Sequence, residues 1–258
     1  MNVLRSGIVA GLLALVLAGC TASLPPDPNR VAAIEDLVAV FDRLALGLGQ
    51  DGNAKGRALK WVTPIKIELQ DAQSESDRTT VRKAFDVATK LTGIPYEFVE
   101  TDQESNFFVR FVDSKDVFVE VAKLRGGVEN TQGLPPQAIC YAHPIGKNSI
   151  VRAHILIAHD MGSAVRDICV LHEMMHAFGL IGHHRRFFPS ILYHTDMSRQ
   201  GFSVNDAIVL RVLYDAKISA GMKREDALPV ANSIIKDIVQ RISATQAPDT
   251  ILHQPLKW

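Results

Sequence analysis

The stretch "RDICVLHEMMHAFGL", residues 166 to 180, constrains this chain more than any other. Between Val165 and Leu180 the polar side chains are Arg166, Asp167, His172, Glu173 and His176, and apolar residues surround the last three on every side of a helical wheel. A helix that is apolar all round is normally buried. Burying a polar group without a partner costs about 2–7 kcal/mol, so something inside must receive these three. Their spacing suggests what. His172 and His176 stand four apart, which stacks them one turn above the other on one face, about 5–6 Å between Cβ atoms. Two imidazoles so placed can grip one divalent ion, and neutral imidazole suits zinc at roughly 2.0–2.1 Å. Glu173 is then free to act as a general base. It takes a proton from a water acidified by zinc toward a pKa of about 7 and later hands it to the leaving amine. "HEMMH", residues 172 to 176, is a full H-E-x-x-H match. The competing reading of the same residues is a pair of core histidines bonded to nearby carboxylates.

The first residues read as a targeting segment rather than as fold. "MNVLRSGIVAGLLALVLAGC" has Arg5, an apolar run from Gly7 to Leu17, then Ala18-Gly19 before Cys20, the layout of a secretory signal peptide. The run is short of the roughly 20 residues a membrane span needs. "LAGC" resembles the bacterial lipobox. That resemblance implies lipid on Cys20, a mature chain that starts there, and anchorage to an envelope membrane. Thr21 after the cysteine implies the outer membrane in a host with two membranes. With Cys20 lipidated, Cys140 and Cys169 remain. In an exported compartment two cysteines suit one disulfide, the alternative being two buried thiols.

Along the rest of the chain, residues 20–29 form a Pro-rich tether, 30–243 one domain and 244–258 a tail. Apolar spacing predicts a helix from Asn29 through Leu44, a second over "SESDRTTVRKAFDVATKLTG" ending at Gly93, the His-rich helix from Val165 to Gly179, one capped by Ser203 and Asp206, and a last within 223–243. "LKWVTPIKIEL" reads as a strand interrupted by Pro64, hence an edge or bulged one. "YEFVE", "NFFVRFV", "AICYAH" and "SIVRAHILIAH" read as strands, the last two as an antiparallel pair turning at Pro144, Gly146 and Asn148. "DVFVEVAKL" fits either a short helix or a strand. Helix and strand mix without strict alternation, which predicts an α+β class. Lys+Arg and Asp+Glu both number 28, so the basic excess of a nucleic-acid binder is missing. Phosphate loops, dinucleotide glycine patterns and serine elbows are also absent.

At His172, Glu173, His176 and Gly179 the sequence resembles the zincin metallopeptidases, the metzincins above all. Their motif runs H-E-x-x-H-x-x-G-x-x-H. Its third histidine would fall on Gly182. His183 follows and is the expected third ligand through a one-residue loop extension, with His184, His194 and Asp196 as alternatives. "SILYH", residues 190 to 194, resembles the metzincin turn beneath the metal, with Leu192 at the usual methionine as an apolar floor. Tyr193 or His194 would steady an oxyanion, or both are ordinary loop residues. The segments "LKWVTPIKIEL", "RDICVLHEMMHAFGL" and "FSVNDAIVLRVLYDAKISAGMKREDA" also resemble a bacterial family of exported zincin-like domains of unknown function. The resemblance implies a mixed twisted sheet with an antiparallel edge strand packed on the buried H-E-x-x-H helix, C-terminal helices, bound Zn2+ and a peptide or protein substrate. By the same analogy the strand carrying His154 and His159 would pair with an extended peptide. "HHRRFF" is either a basic rim for an acidic substrate or a solvated loop, and Trp61 belongs in the core. The resulting expectation is a lipid-anchored, zinc-dependent peptidase of the bacterial envelope. Its rivals are a non-catalytic zincin-like lipoprotein that binds a peptide or cell-wall partner, and a purely structural zinc site.

Overall fold

The computed structural model describes residues 27, 29–47, 56–72, 74–100, 104–185, 189–193 and 201–245. Cys20, the leader, most of the tether, His194 and Asp196 lie outside them.

A five-stranded mixed sheet organises the chain: β1 (Ile65–Gln70), β2 (Tyr96–Phe98), β3 (Phe107–Val112), β4 (Cys140–Gly146) and β5 (Ile150–Ala158), in the spatial order β2-β1-β3-β5-β4. All pairings are parallel except β4 with β5. The class is α+β, as predicted, with the antiparallel strand at the edge.

Around the sheet run α1 (Ile34–Phe41), α2 (Glu75–Thr92), α3 (Val117–Leu124), α4 (Ser163–Ala177), α5 (Val204–Leu213) and α6 (Arg224–Thr245). Alternation along β3 and β5 sends Phe107, Val109, Phe111, Ala153, Ile155 and Ile157 to one face, where they join the apolar sides of α2, α4, α5 and α6 in the main core. The opposite face carries a smaller cluster. There Val117 and Val121 of α3 cover Val112, Leu156 and Ala158. That four-residue apolar spacing explains why "DVFVEVAKL" resolves to a helix.

Local chemistry fixes the helix ends. Ser74 and Asp77 form a capping box at α2, and Ser203 and Asp206 another at α5. Gly93 closes α2 in the left-handed conformation. Asp77 also accepts from Arg166 Nε at 2.7 Å, tying the start of α2 to that of α4. The arginine and two hydrogen bonds from Ser74 hold its carboxyl below the usual range against the opposing effect of burial.

Three expectations need correction. The strand after Pro64 is neither bulged nor at an edge: it begins at Ile65 and lies between β2 and β3. Pro64, just outside, takes no N–H from the ladder. Pro144 and Gly146 are not turn residues but part of β4. The Ala142 N–H faces Glu173 rather than β5, and Pro144, two residues on, places its nitrogen on that same outward side. Finally, β5 is no edge strand, since β3 and β4 flank it. The free edge on that side belongs to β4, so the strand of His154 and His159 has no open ladder to offer a peptide.

Candidate metal centre

The motif helix α4 is buried along its last three turns, with His172, Glu173 and His176 each at most 5% exposed. Its end is a Schellman turn: Gly179 N–H donates to the His176 carbonyl and Leu180 N–H to that of Met175. Gly179 sits at φ +103°, and a Cβ there would run into the Leu59 carbonyl. Only glycine fits that reversal. Two further carbonyls at the helix end are taken up from elsewhere, Ala177 by Trp61 Nε1 at 3.0 Å and Phe178 by the Tyr214 hydroxyl at 3.0 Å. Trp61 is thus a core residue, as expected, with its polar edge spent on the helix that carries the histidines.

Past Gly182, at φ +96°, the chain turns back and delivers His183 to the helix. Arg43 Nε holds the His183 carbonyl at 2.6 Å. His172, His176 and His183 then offer ligand atoms that all lie within 4.8 Å of one another. The Nε2 of His172 is 2.9 Å from that of His183 and 3.1 Å from that of His176.

Tautomers follow from the other ring nitrogens. His172 Nδ1 lies 2.8 Å from the Ile191 carbonyl and His176 Nδ1 lies 2.7 Å from the Leu180 carbonyl. A carbonyl oxygen only accepts, so both Nδ1 atoms carry the proton. Burial pushes His172 down to about 4, the Ile191 contact opposing it, so this ring is neutral at physiological pH. With Nδ1 donating to a carbonyl in both rings, each Nε2 is the ring atom left to bind a cation, and the two lie 3.1 Å apart. One ion shared between them suits that separation. Ligands at roughly 2.0–2.1 Å around a tetrahedral ion stand roughly 3.3 Å apart. The donor set therefore fits a metal ion, and the backbone carbonyls fix its rings as outer partners of metal-bound imidazoles do.

The turn under His172 is anchored by a residue that sequence reasoning treated as a helix cap alone. Asp206 accepts from Ser190 Oγ at 2.5 Å, Ile191 N at 3.0 Å, and Ser203 N and Oγ at 2.9 and 2.8 Å. It thereby sets the Ile191 carbonyl against His172 Nδ1, and Leu192 beside it is wholly buried. Residues 35–233 match the family described as "Protein of unknown function (DUF2927)". The chain belongs to that family. No curated protein matches it. Among solved structures, a crystal structure of myroilysin is similar at 18% identity and a TM-score of 0.30, over 62% of this chain and 61% of that one. A second structure of myroilysin gives 15% and 0.31, over 63% and 64%. The chain spans less than two thirds of the length of either.

In this DUF2927 chain Glu173 faces β4. Burial raises its carboxyl to about 8, opposed by the Ala142 N–H. A disulfide between Cys140 and Cys169 joins the same strand and helix, as expected, two residues before Ala142 on one side and one turn before Glu173 on the other. The alternative third ligands separate from His183. His184 is buried, its N–H donates to the Leu192 carbonyl at 3.2 Å, and its ring lies against Tyr193 at 5.9 Å. Tyr193 thus reaches His184; His194 and Asp196 fall outside the described residues. Arg43, Ala142 and the Ile191 and Leu180 carbonyls had no signal in the sequence, because each acts through the backbone or across the fold.

Proposed function

We propose that this chain is a zinc-dependent, zincin-like peptidase anchored to the bacterial envelope by lipid on Cys20. The paired Nε2 lone pairs of His172 and His176, 3.1 Å apart, carry the reading. His183 completes the ligand set. Zinc bound by these three residues would supply a Lewis acid for a peptide carbonyl and would acidify a water. Glu173 would serve as the general base that accepts a proton from the attacking water and returns it to the departing amine. Burial raises its carboxyl to about 8 against the Ala142 N–H, and a cation bound nearby would lower it. Tyr193 or His194 is assigned to steady the carbonyl oxygen. An extended polypeptide lies along the open edge of β4 rather than on β5.

Three measurements test this. Purified protein should hold about one zinc per chain and His176→Ala about none; protein without zinc in either form ends the reading. Glu173→Gln should keep its zinc and lose cleavage of a broad peptide library by 10² or more. Cleavage that survives in Glu173→Gln removes that residue's role, while zinc with no cleavage in the parent identifies a binding scaffold. Cys20→Ala should move the protein from the membrane to the soluble envelope fraction.

A further inference from the structure

On the opposite face of the sheet α3 ends at Leu124 and leaves the near half of that face open, as a cleft of about 400 Å³. Phe108 and His154, partners across β3 and β5, stack face to face with centroids 4.7 Å apart and planes 9° from parallel, and both rings line the cleft. Leu124 and Leu156 form an aliphatic wall. Burial, His143 and Arg152 together hold His154 down at about 4, so the floor is uncharged at physiological pH. Two guanidinium groups reach the cleft, and they differ. Arg110 is committed to Glu120 at 2.8 Å and to Asp71 at 3.5 Å. Arg152 is exposed, lies 5.6 Å over the Phe108 ring, and has no ion-pair partner among the described residues.

A stacked aromatic pair beside a guanidinium with no ion-pair partner among the described residues defines a ligand class. We propose that this cleft binds a small monocarboxylate with a flat apolar body, the carboxylate on Arg152 and the body on the Phe108–His154 stack. The arginine fork matches a carboxylate's two oxygens. The volume lies in the range of small-molecule sites. The site is separate from the histidine centre and does not rest on the peptidase reading.

The test is calorimetric titration of the full chain with benzoate, as isolated and after chelation, against Arg152→Ala, Arg152→Lys and neutral benzamide. N-acetylphenylalanine in parallel distinguishes a peptide C-terminus from a free aromatic acid, the tighter of the two naming the source. Saturable binding is expected, unchanged by chelation, weakened about tenfold or more in Arg152→Ala and for benzamide, and partly kept in Arg152→Lys. Arg152 is on the surface, so an unchanged melting temperature in the variant confirms an intact fold. Benzoate binding that chelation abolishes and Arg152→Ala spares belongs to the histidine centre and overturns the proposal. Equal binding of benzamide, or no saturable heat at tens of millimolar, overturns it too.

Discussion

The two faces of the sheet use the same residue type to different ends. On the α4 side His172 is held by burial at about 4; on the α3 side burial first, then His143 and Arg152, bring His154 to about the same value. Burial alone therefore does not make a ligand. His172 and His176 have their Nδ1 atoms tied to carbonyls and their Nε2 atoms aimed at one point. His154 instead lies flat on Phe108, its plane rather than a nitrogen engaged. Convergence of ring nitrogens, enforced by backbone acceptors, separates a candidate metal centre from a stacked imidazole.

The largest expected effect tests that convergence directly. With free ion at about a thousand times its Kd, metal binding adds about 4 kcal/mol to stability. A chelator should therefore lower the melting temperature of the parent markedly and that of His176→Ala hardly at all. His154→Ala, on the other face, should leave the chelator response intact. An equal response in parent and His176→Ala would mean that the histidines do not share an ion.

Next comes the outer support. Asp206→Ala strips four hydrogen bonds from Ser190, Ile191 and Ser203 and leaves buried donors unpaired. A loss of about 3 kcal/mol or more is expected. The loosened Ile191 carbonyl should weaken metal affinity by about 10–100-fold, read by competition with a chromophoric chelator. A fall in stability with unchanged affinity would reduce Asp206 to a helix cap. Trp61→Phe removes the donor to the Ala177 carbonyl and part of the buried ring volume. About 2 kcal/mol or more should be lost in denaturant unfolding, with metal affinity unchanged.

Sequence periodicity reads the elements of this fold well because helices α2, α4 and α5 carry their own caps and apolar faces. It misplaces strand order because edge position is a property of the assembled sheet. Pro64 suggests an edge, yet it merely precedes an inner strand, while Pro144 sits within the true edge. In the metal centre, His172 and His176 are legible through helical spacing. His183 comes from matching a loop to a family motif, since its arrival depends on Gly182 and on Arg43 gripping its carbonyl. The open-face cleft has no linear signature at all. Its residues come from three strands and a helix, and only their register brings them together.

The smallest effect lies on that open face and follows from the sign of one shift. His154 titrates near 4 in the fold and near its ordinary 6.5 when unfolded. Between those values the unfolded chain binds more protons, so stability rises with pH across that window and is lost as pH falls through it. Partial solvation of the ring discounts the contribution to about 1 kcal/mol. His154→Gln should therefore flatten the stability profile between about pH 6.5 and 4, measured by urea unfolding. Above pH 7 it should cost only the lost stacking on Phe108. If the profile keeps its slope in His154→Gln, the ring is solvated in the fold, and the neutral floor of the carboxylate cleft goes with it.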